Sequence, residues 1–403
     1  MAKAIKFTAF AGIRNTLPPE RLHVLPTRDN ATTDLVEAVN VDLDNSGGIA
    51  RRAGTQLVRA GASHSLWAMG DMALFAAGGN LLRLHPDYSA QVLASGLTPD
   101  APVSYVEVNG RIYWSNSRQS GVVADGLSRS WGMDIPAPPG LAAVAGQLPP
   151  GQYQAVVTHV RADAQESGAG LPSVITLTDD GGVRVTWAMP NDPAIERARI
   201  YLTPPNGAVL YLADDCPIDE LYTEVAACAF ALPLNTQWAD KPPAGQALAY
   251  ANGRIYIAQD GFIFGTSELG YEHADLRDYL AIDGTRVHLL AGVEGGLFAA
   301  TDRQAVFLRG KVLAEMEMVQ VAAAGGIAGS VAFVDGERAT GIKELAGRRC
   351  ALFATGQGVI LGLPDGTVMN LTQERYRFDP APFAAAGIHE NDQLNSYLLF
   401  LAS

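Results

Sequence analysis

The sequence is short of positive charge. Its 403 residues include 29 lysines and arginines against 42 aspartates and glutamates, which gives a formal net charge of −13 at pH 7. Proteins that hold nucleic acid do so largely through cationic contacts to phosphates, so this balance has the wrong sign for tight binding. Sequence-specific recognition of DNA is therefore excluded as the expected function.

Cysteine is scarce, and no long apolar run is present. Cys216, Cys228 and Cys350 have neither CxxC pairing nor a spacing suited to zinc or to a disulfide framework. The start, MAKAIKFTAFAGIRN, has no apolar stretch of signal-peptide length, and the longest nearly apolar run is Val225 to Leu234. A membrane helix needs roughly 20 apolar residues. We expect buried free thiols, no export by the general route and no membrane insertion.

Recognisable catalytic motifs are also lacking. The sequence contains no HExxH pair, GxSxG elbow, phosphate-binding loop or sialidase Asp-box, and its histidines show no paired spacing. We therefore predict no enzymatic activity, no cofactor, and no catalytic, cofactor-binding or metal-binding residues. The histidines are His23, His64, His85, His159, His273, His288 and His389.

Glycine and proline, by contrast, are frequent. The chain has 42 glycines and 23 prolines, and 48% of its residues are hydrophobic. Many turn-forming residues in an apolar chain favour short strands over long helices. We predict an all-β fold, in which the best helix candidate is the stretch Leu269 to Tyr279.

A short motif repeats along the chain. The pentapeptide NGRIY occurs at Asn109 to Tyr113 and at Asn252 to Tyr256. A looser LFAA or LFAT follows a turn at Leu74, Leu297 and Leu352. A turn of Gly, Asn or Asp before an aliphatic–aromatic pair is typical of a β-hairpin, so these copies predict one hairpin used repeatedly.

The spacing of the copies predicts a β-propeller. The aliphatic residues of the pairs are 38, 143, 42, 55 and 47 residues apart, and four of these intervals approximate one blade. We favour six blades, with seven as the alternative, and expect closure by pairing of Leu35 to Leu43 with Ser396 to Leu401. The aliphatic residues are Leu74, Ile112, Ile255, Leu297, Leu352 and Leu399.

The interval of 143 residues predicts an inserted domain. Proline-rich seams stand at Ile135 to Gly140, at Leu148 to Gly151 and at Lys241 to Gly245. Residues 148–240 carry 4 basic against 12 acidic residues, and such a charge shift at proline-marked borders favours two domains. The expected domains are a propeller of residues 1–147 and 241–403 and an insert of residues 148–240.

The insert has the pattern of a β-sandwich. Segments such as YQAVVTHV and RARIYL alternate apolar and polar residues between turns, which suits seven short strands. Because no cysteine pair braces it, a fibronectin type III-like module fits better than a disulfide-bonded immunoglobulin domain. Trp187 is the expected central core residue.

An acidic turn near the N-terminus has two interpretations. Asp42, Asp44 and Ser46 match the first half of a calcium loop, but the twelfth position holds Ala53 where a glutamate is needed. A plain hairpin turn is therefore favoured over a calcium site. The dipeptide Arg51-Arg52 is expected to pair with these aspartates across the hairpin, and contact with a neighbouring subunit is the alternative.

Three further acidic segments are candidate sites. The run Tyr271 to Asp275 holds three potential metal ligands, but such runs are more often solvated loops. Glu166 and the pair Asp179-Asp180 are acid and base candidates, although carboxylates in β-turns usually have no such role. The aromatic pairs at Tyr113-Trp114 and Phe262 to Phe264 are interpreted as core, with a glycan-binding groove as the alternative.

Three stretches resemble a known family. The run EAVNVDLDNSGGIARRAGTQLV, Glu37 to Val58, looks like the opening of a group of tailed-bacteriophage virion proteins. The stretch GVILGLPDGTVMNLTQERY, Gly358 to Tyr376, resembles their last blade. The stretch LPPGQYQAVVTHVRADAQESG, Leu148 to Gly168, is similar to the fibronectin-like module that such proteins often carry.

The resemblance implies a structural protein of the virion tail or neck, similar to the hub or nozzle proteins of short-tailed phages and assembled in the host cytoplasm. The implied partners are further copies in a ring, with a hexamer as one option, and other tail or neck proteins. Phage DNA would pass through the ring during ejection without specific binding. The alternative function is a host receptor- or glycan-binding propeller module of the virion, and a propeller hydrolase is a third.

Overall fold

Short antiparallel sheets make up most of the molecule. A computed structural model describes residues 9–22, 25–26, 31–44, 46–70, 72–284, 286–372, 375–379, 381–390 and 395–402. Within these ranges the fold is all-β, as predicted, and α1 (Gly336–Thr340) is the single α-helix. The short 3-10 turns of the same ranges are Pro19–Arg21, Ile218–Glu220, Leu313–Glu315 and Lys343–Leu345.

The N-terminal region contains a small sheet and a hairpin. In the sheet, β1 (Ala9–Ile13) and β2 (Leu25–Pro26) lie on either side of β3 (Ala31–Leu35), and β1 runs parallel to β3. The hairpin joins β4 (Val41–Leu43) to β5 (Ile49–Arg51).

Two four-stranded sheets follow. Each is an antiparallel meander whose strand order follows the sequence. The first sheet contains β6 (His64–Met69), β7 (Met72–Ala77), β8 (Asn80–Leu84) and β9 (Ala90–Ser95), and the second contains β10 (Ser104–Val108), β11 (Arg111–Ser115), β12 (Ser120–Ala124) and β13 (Leu127–Ser130).

The next seven strands form two sheets that share one apolar core, and we call them the two-sheet unit. One sheet has the order β14-β17-β20 and the other β16-β15-β18-β19, with the strands defined below. Trp187 is buried in the shared core, as predicted, and its indole Nε1 donates to the carbonyl of Ile218 at 3.0 Å. The strands are β14 (Gly140–Leu148), β15 (Gly151–Arg161), β16 (Ser173–Leu177), β17 (Gly181–Thr186), β18 (Ile195–Leu202), β19 (Tyr211–Pro217) and β20 (Tyr222–Val225).

The two-sheet unit begins earlier than predicted. β14 pairs with β17 from Gly140 onward, so the strand lies before the border expected at Leu148. The second proline-rich seam, Leu148 to Gly151, is the turn between β14 and β15 instead of a border. Prolines without an N–H suit such a turn equally well, and the sequence pattern does not separate the two cases.

Three more four-stranded meanders and a two-stranded sheet complete the described chain. The third sheet contains β21 (Ala247–Ala251), β22 (Arg254–Gln259), β23 (Phe262–Ser267) and β24 (Gly270–Ala281). The fourth contains β25 (Leu289–Val293), β26 (Gly296–Ala300), β27 (Ala305–Arg309) and β28 (Glu317–Ala322). The fifth contains β29 (Ala332–Asp335), β30 (Arg349–Thr355), β31 (Gly358–Gly362) and β32 (Val368–Asn370), and the C-terminal sheet contains β33 (Ala384–Glu390) and β34 (Asn395–Leu401).

The repeated aliphatic residues occupy equivalent places. All six lie in the second strand of their sheet, and Leu74, Ile255 and Leu297 have no exposed surface. The Asn-Gly pair of NGRIY forms the preceding two-residue turn, with φ of 54° and 76° at Asn109 and Gly110. These positive angles are those of a type I′ turn, which matches the twist of the flanking strands. The predicted repeated hairpin is confirmed.

Neighbouring sheets pack through shared apolar clusters. One cluster joins the first and second sheets, another the second and third, and further clusters join the third to the fourth and the fourth to the fifth. Ile388 and Tyr397 of the C-terminal sheet pack on the cluster of the fifth. The second and third sheets are thus neighbours although the two-sheet unit separates them in sequence.

Two expectations about local structure are wrong. The helix candidate Leu269 to Tyr279 lies almost entirely in β24, which pairs with β23. Alternation of inward and outward side chains along the strand buries Glu272 and Ala274, so tertiary packing overrides the weak helical pattern. The expected closure also differs, because Ser396 to Leu401 pairs with β33 and the residues of β4 pair with β5.

Candidate functional site

The most highly charged buried site lies where the two-sheet unit meets the second and third sheets. Glu272 of β24 has a side chain that is only 6% exposed. Arg129 of β13 donates from Nη1 and Nη2 to its two carboxylate oxygens at 3.2 and 3.0 Å. The backbone N–H of Gly132 donates to Glu272 Oε2 at 2.8 Å. These bonds tie the outer strands of the second and third sheets together.

The two-sheet unit contributes Arg161, from the end of β15. Its side chain is 2% exposed, and Nη1 lies 3.7 Å from Glu272 Oε2. Nη2 donates to the carbonyl of Gly132 at 2.9 Å and to Asp192 Oδ2 at 2.6 Å. Burial opposes ionisation of Asp192, but the hydrogen bond from Arg161 keeps the pKa of this carboxyl below its usual value. Arg161 therefore fixes the unit against both sheets.

Two more residues complete this group, which we call the Glu272 cluster. Arg111 of the NGRIY motif lies 3.8 Å from Glu272 Oε1, and Asp163 lies 3.7 Å from Arg111 and 3.4 Å from Arg129. Three arginines thus face three carboxylates, so their formal charges balance. Arg161 and Glu272 are the buried members, and removal of either would leave an uncompensated buried charge. The members are Arg111, Arg129, Arg161, Asp163, Asp192 and Glu272.

Glu166 lies in a second group on the same side of the unit. Its Oε1 accepts hydrogen bonds from Thr158 Oγ1 at 2.6 Å and Tyr201 Oη at 2.7 Å, and Oε2 accepts from Arg199 Nη1 at 2.6 Å. His273 Nε2 contacts the Glu166 carbonyl oxygen at 2.5 Å. Burial, with the hydrogen bond to Glu166, raises the pKa of Tyr201. Glu166 is held as an acceptor, and Tyr201 as a neutral donor.

The acid and base candidates, which the sequence did not favour as catalytic, have different surroundings. Asp179-Asp180 lies in the exposed turn between β16 and β17, away from the contacts that hold Glu166. The run Tyr271 to Asp275 is a strand segment whose glutamate binds arginines and whose Asp275 binds Arg277 at 2.6 Å. The described residues contain no group of three or more His, Cys, Asp or Glu side chains placed to hold a metal ion.

The acidic turn near the N-terminus has the favoured hairpin form. Asp44 Oδ1 accepts from the N–H of Ser46 and of Gly48, each at 2.8 Å, and from Ser46 Oγ at 2.6 Å. The hydrogen bond from the Ser46 hydroxyl, with that from Gly48, lowers the pKa of Asp44. Arg52 Nε donates to Asp42 Oδ1 at 2.8 Å, so the expected arginine pairing across the hairpin is confirmed for this residue.

The described histidines have different surroundings. His159 is buried in the two-sheet unit, its Nε2 has no hydrogen-bond partner among the described residues, and burial lowers its pKa to about 4. His288 Nε2 contacts the Gly326 carbonyl at 2.6 Å, and His64 Nδ1 contacts Ser65 Oγ at 3.0 Å. His23 lies outside the described residues.

The cysteines lie in or beside apolar cores. Cys216 and Cys350 are buried free thiols, as predicted, whereas Cys228 is half-buried. Burial raises the pKa of Cys216 to about 11, so this thiol is protonated at neutral pH.

The aromatic residues divide between core and surface. Tyr113 and Trp114 are buried, as predicted. In the third sheet Phe262 was expected in the core, but Ile263 is buried there and Phe262 is 43% exposed. Tyr279 is 51% exposed, and the ring centres of Phe262 and Tyr279 lie 5.4 Å apart in an edge-to-face contact. Alternation along β23 explains the correction, because only every second side chain can face the core. Phe264 also contacts Tyr279, which makes a surface aromatic cluster.

Two open grooves are present on the described surface. One, of about 710 Å³, is lined by Leu57, Val58 and Tyr88 together with short polar side chains. The other, of about 440 Å³, lies beside Lys241 and Pro242. Neither contains residues of the Glu272 cluster. In the described ranges no helix is long and apolar enough to cross a membrane.

The arginines of the Glu272 cluster were missed by the sequence analysis. A signal was present in Arg161, which ends the mostly apolar run AVVTHVR, and in Arg111, which belongs to the repeated motif. A charged residue within a buried strand needs a partner, so each predicts a carboxylate nearby. The partner could not be named, because Glu272 is more than 100 residues away in sequence.

Comparison with known proteins identifies no family. No family model matches the chain, and no curated protein matches it. Solved structures that resemble it include apo AztD from Citrobacter koseri, with 12% identity over 89% of this chain and 79% of that chain and a TM-score of 0.34. PorZ from Porphyromonas gingivalis has 12% identity over 81% and 50% of the two chains and a TM-score of 0.22.

A third solved structure gives a similar result. The extracellular domain of BT4673 from B. thetaiotaomicron has 9% identity over 93% of this chain and 50% of that chain, with a TM-score of 0.26. Likeness at this level carries no argument about function. None of these three is a phage tail protein.

Proposed function

We propose that the chain is a β-propeller with an inserted β-sandwich and that it is a structural component of a bacteriophage tail or neck. Copies of the chain would assemble into a ring around the DNA exit channel. The phage role is proposed from the family resemblance in the sequence. The propeller with an insert is proposed from the order and connection of the sheets, and this is the observation that carries the proposal.

The sheets have the connectivity that this architecture needs. Each four-stranded meander would be one blade, because its strands follow in order and its second strand carries the repeated aliphatic residue. The chain leaves the second sheet after β13, forms the two-sheet unit and returns at β21 beside β10. An inserted domain requires that the chain re-enter the propeller beside the sheet from which it left. The C-terminal sheet would be the sixth blade.

The charged clusters support a structural role over a catalytic one. Catalytic carboxylates need a free oxygen near a substrate, but both oxygens of Glu166 and of Glu272 accept hydrogen bonds within the fold. The same contacts would hold the sandwich rigidly on the propeller. The shortage of positive charge is compatible with passage of DNA without tight binding.

The direct test is negative-stain imaging of the purified full chain. The proposal predicts closed rings of one copy number, which also gives the symmetry. Uniform particles of single-chain size, at every concentration and with no rings, would contradict assembly by the chain itself.

One observation favours the alternative function, a glycan-binding module of the virion. Exposed aromatic rings such as Phe262 and Tyr279 offer flat apolar faces of the kind on which sugar rings stack. The variant Phe262→Ala/Tyr279→Ala, compared with Leu127→Ala on the exposed face of β13, would be tested for binding to host cells and to lipopolysaccharide. Selective loss of binding in the aromatic variant would support this alternative, and absence of binding by the unaltered protein would exclude it.

A further inference from the structure

The chain passes from the second sheet into the two-sheet unit through one residue, Gly132. Trp131 is fully buried in the apolar cluster of the second and third sheets, and its Nε1 donates to the Tyr271 carbonyl at 2.7 Å. Met133 already belongs to the core of the two-sheet unit. Gly132 lies between them with φ of +73°, a conformation that glycine adopts without strain. Gly132 is therefore the point at which the chain leaves one core and enters the other.

The return path is also short. Leu234 still packs on the two-sheet unit, whereas the ring of Trp238 lies 4.2 Å from the guanidinium carbon of Arg277 on β24. Asp240 exchanges two backbone hydrogen bonds with β24, at 2.7 and 2.9 Å. Residues 235–237 connect the two sides and form no strand. The two-sheet unit is thus joined to the other sheets by one glycine and by a short irregular segment.

No apolar core spans the boundary between the two-sheet unit and the other sheets. In the described part of the chain, each apolar cluster takes its strand residues from the unit alone or from the other sheets alone. The contacts that cross the boundary include those of the Glu272 cluster, the contact of His273 with the Glu166 carbonyl, and the approach of Gly168 to the Ala239 carbonyl. Polar groups that separate are hydrogen-bonded again by water, so such contacts add little net stability. Two bodies joined by an interface without an apolar core are expected to move relative to each other.

The Glu272 cluster holds Gly132 from both sides. The Gly132 N–H donates to Glu272 Oε2 at 2.8 Å, and its carbonyl accepts from Arg161 Nη2 at 2.9 Å. Glu272 belongs to the third sheet and Arg161 to the two-sheet unit, so each body contributes one partner of the same glycine. Asp163 of the unit adds an ion pair with Arg129 of the second sheet at 3.4 Å. We call Arg161, Asp163 and Glu272 the latch, and the observed position of the unit the docked position.

The latch is incompletely hydrogen-bonded. Arg161 Nη1 is buried and has no hydrogen-bond partner among the described residues. Its distance of 3.7 Å from Glu272 Oε2 exceeds that of a hydrogen bond. A buried donor without a partner costs free energy in the docked position, and water satisfies the donor once the unit moves away. Separation therefore removes a cost that the docked position carries.

We propose that Gly132 is a hinge and that the two-sheet unit moves between the docked position and a released position. In the released position the latch is broken, both apolar cores stay intact, and the unit turns about Gly132 and residues 235–237. Rotation about a few connecting residues is the usual form of hinge movement between two bodies. The inference goes beyond the proposed function, since it requires neither a ring nor a phage role.

Alanine variants test the latch against a matched control. Arg161→Ala/Asp163→Ala removes the part of the latch that the unit contributes. Arg184→Ala/Glu224→Ala removes an arginine–carboxylate pair, 2.5 Å apart, on the surface of the same unit, so it also takes away one charge of each sign. We expect the first variant to raise the ratio of released to docked molecules about tenfold or more over that in the control, because the latch stabilises only the docked position. Circular dichroism and urea denaturation show whether both variants fold.

The readout is the distance between two spin labels, measured by double electron–electron resonance. The labels are attached at Asp179→Cys in the unit and at Arg303→Cys in the fourth sheet, both exposed sites, and Cys228→Ser removes the half-buried thiol. Labelled chains are diluted in unlabelled protein, so that only distances within one chain are measured. We expect one narrow distance distribution in the protein with an intact latch and in the control, and a second population in the latch variant.

A single narrow population in the latch variant, equal to that of the control, would overturn the inference. If the latch variant does not fold, Asp163→Ala and Glu224→Ala repeat the comparison at side chains that are 34% and 45% exposed. A second population in Asp163→Ala alone would support the hinge, and its absence there would overturn it. Because each distance lies within one chain, a failure of ring assembly leaves this result unchanged.

Discussion

Ile255 is fully buried at the position that repeats in the second strand of each sheet. An aspartate there would place an unpaired carboxylate among apolar side chains. We expect Ile255→Asp to lower the free energy of unfolding by about 4 kcal/mol or more, measured by urea denaturation. Leu127→Asp, at a site that is 73% exposed, is the control and should change it little. Equal stability of the two variants would contradict the assignment of Ile255 to the core.

His159 makes the stability of the two-sheet unit depend on pH. Burial lowers its pKa to about 4 from the ordinary 6.5, so between these values the unfolded chain binds the proton and the folded chain does not. The stability contributed by the neutral ring is present above pH 6.5 and is lost as the pH falls toward 4. We expect a loss of up to about 3 kcal/mol over this range.

The measurement is chemical denaturation at a series of pH values. His159→Gln should remove this part of the pH dependence, whereas His389→Gln, at an exposed site, should retain it. An unchanged pH profile in His159→Gln would mean that the buried ring does not control stability in this range.

At the scale of elements, the two-residue Asn-Gly turn determines the geometry of the hairpin that joins β10 to β11. Gly110 has φ of +76°, and a Cβ added there would meet no atom within 4 Å, so any cost of Gly110→Ala comes from backbone strain alone. We expect a loss of about 1 to 2 kcal/mol in unfolding free energy. Gly387→Ala is the matched control, because its site is equally open and φ is not positive. The same cost in both variants would contradict the type I′ assignment.

The sequence predicted elements where the signal is local. The turn residues and the aliphatic residue after them are adjacent in the chain, so the NGRIY hairpins and the buried Ile112 and Ile255 could be found from a motif alone. The start of β14 at Gly140 could not, because prolines mark both a domain border and a hairpin turn. The prediction of a helix over Leu269 to Tyr279 is wrong because pairing with β23, and not the local pattern, decides the conformation of β24.

Contacts between residues far apart in the chain could not be predicted from the sequence. Arg129 meets Glu272 because the second and third sheets pack side by side although they are far apart in the chain, and Arg161 reaches Glu272 from the two-sheet unit. The predicted pairing of Leu35 to Leu43 with Ser396 to Leu401 is wrong. Several strands of suitable length could pair with each strand edge, and the sequence does not say which of them does.

At the scale of the whole molecule, the strand pairing determines which segment can be removed without loss of the fold. Removal of residues 140–239 takes away all seven strands of the two-sheet unit, and β10 and β21 already lie side by side, so we expect a soluble, folded remainder. Removal of residues 148–240 leaves most of β14 without its partner β17 and should cause aggregation.

Solubility and circular dichroism of the two deletion variants provide the measurement. Equal aggregation of both would mean that the sheets cannot fold without the two-sheet unit. The Glu272 cluster would then be part of one continuous core instead of the anchor of an insert.

The central claim is that the chain assembles with itself, and the most direct test is its molar mass in solution by light scattering across a concentration series. We expect a discrete species that contains two or more whole chains of 42.6 kDa. A mass of one chain at every concentration would contradict it.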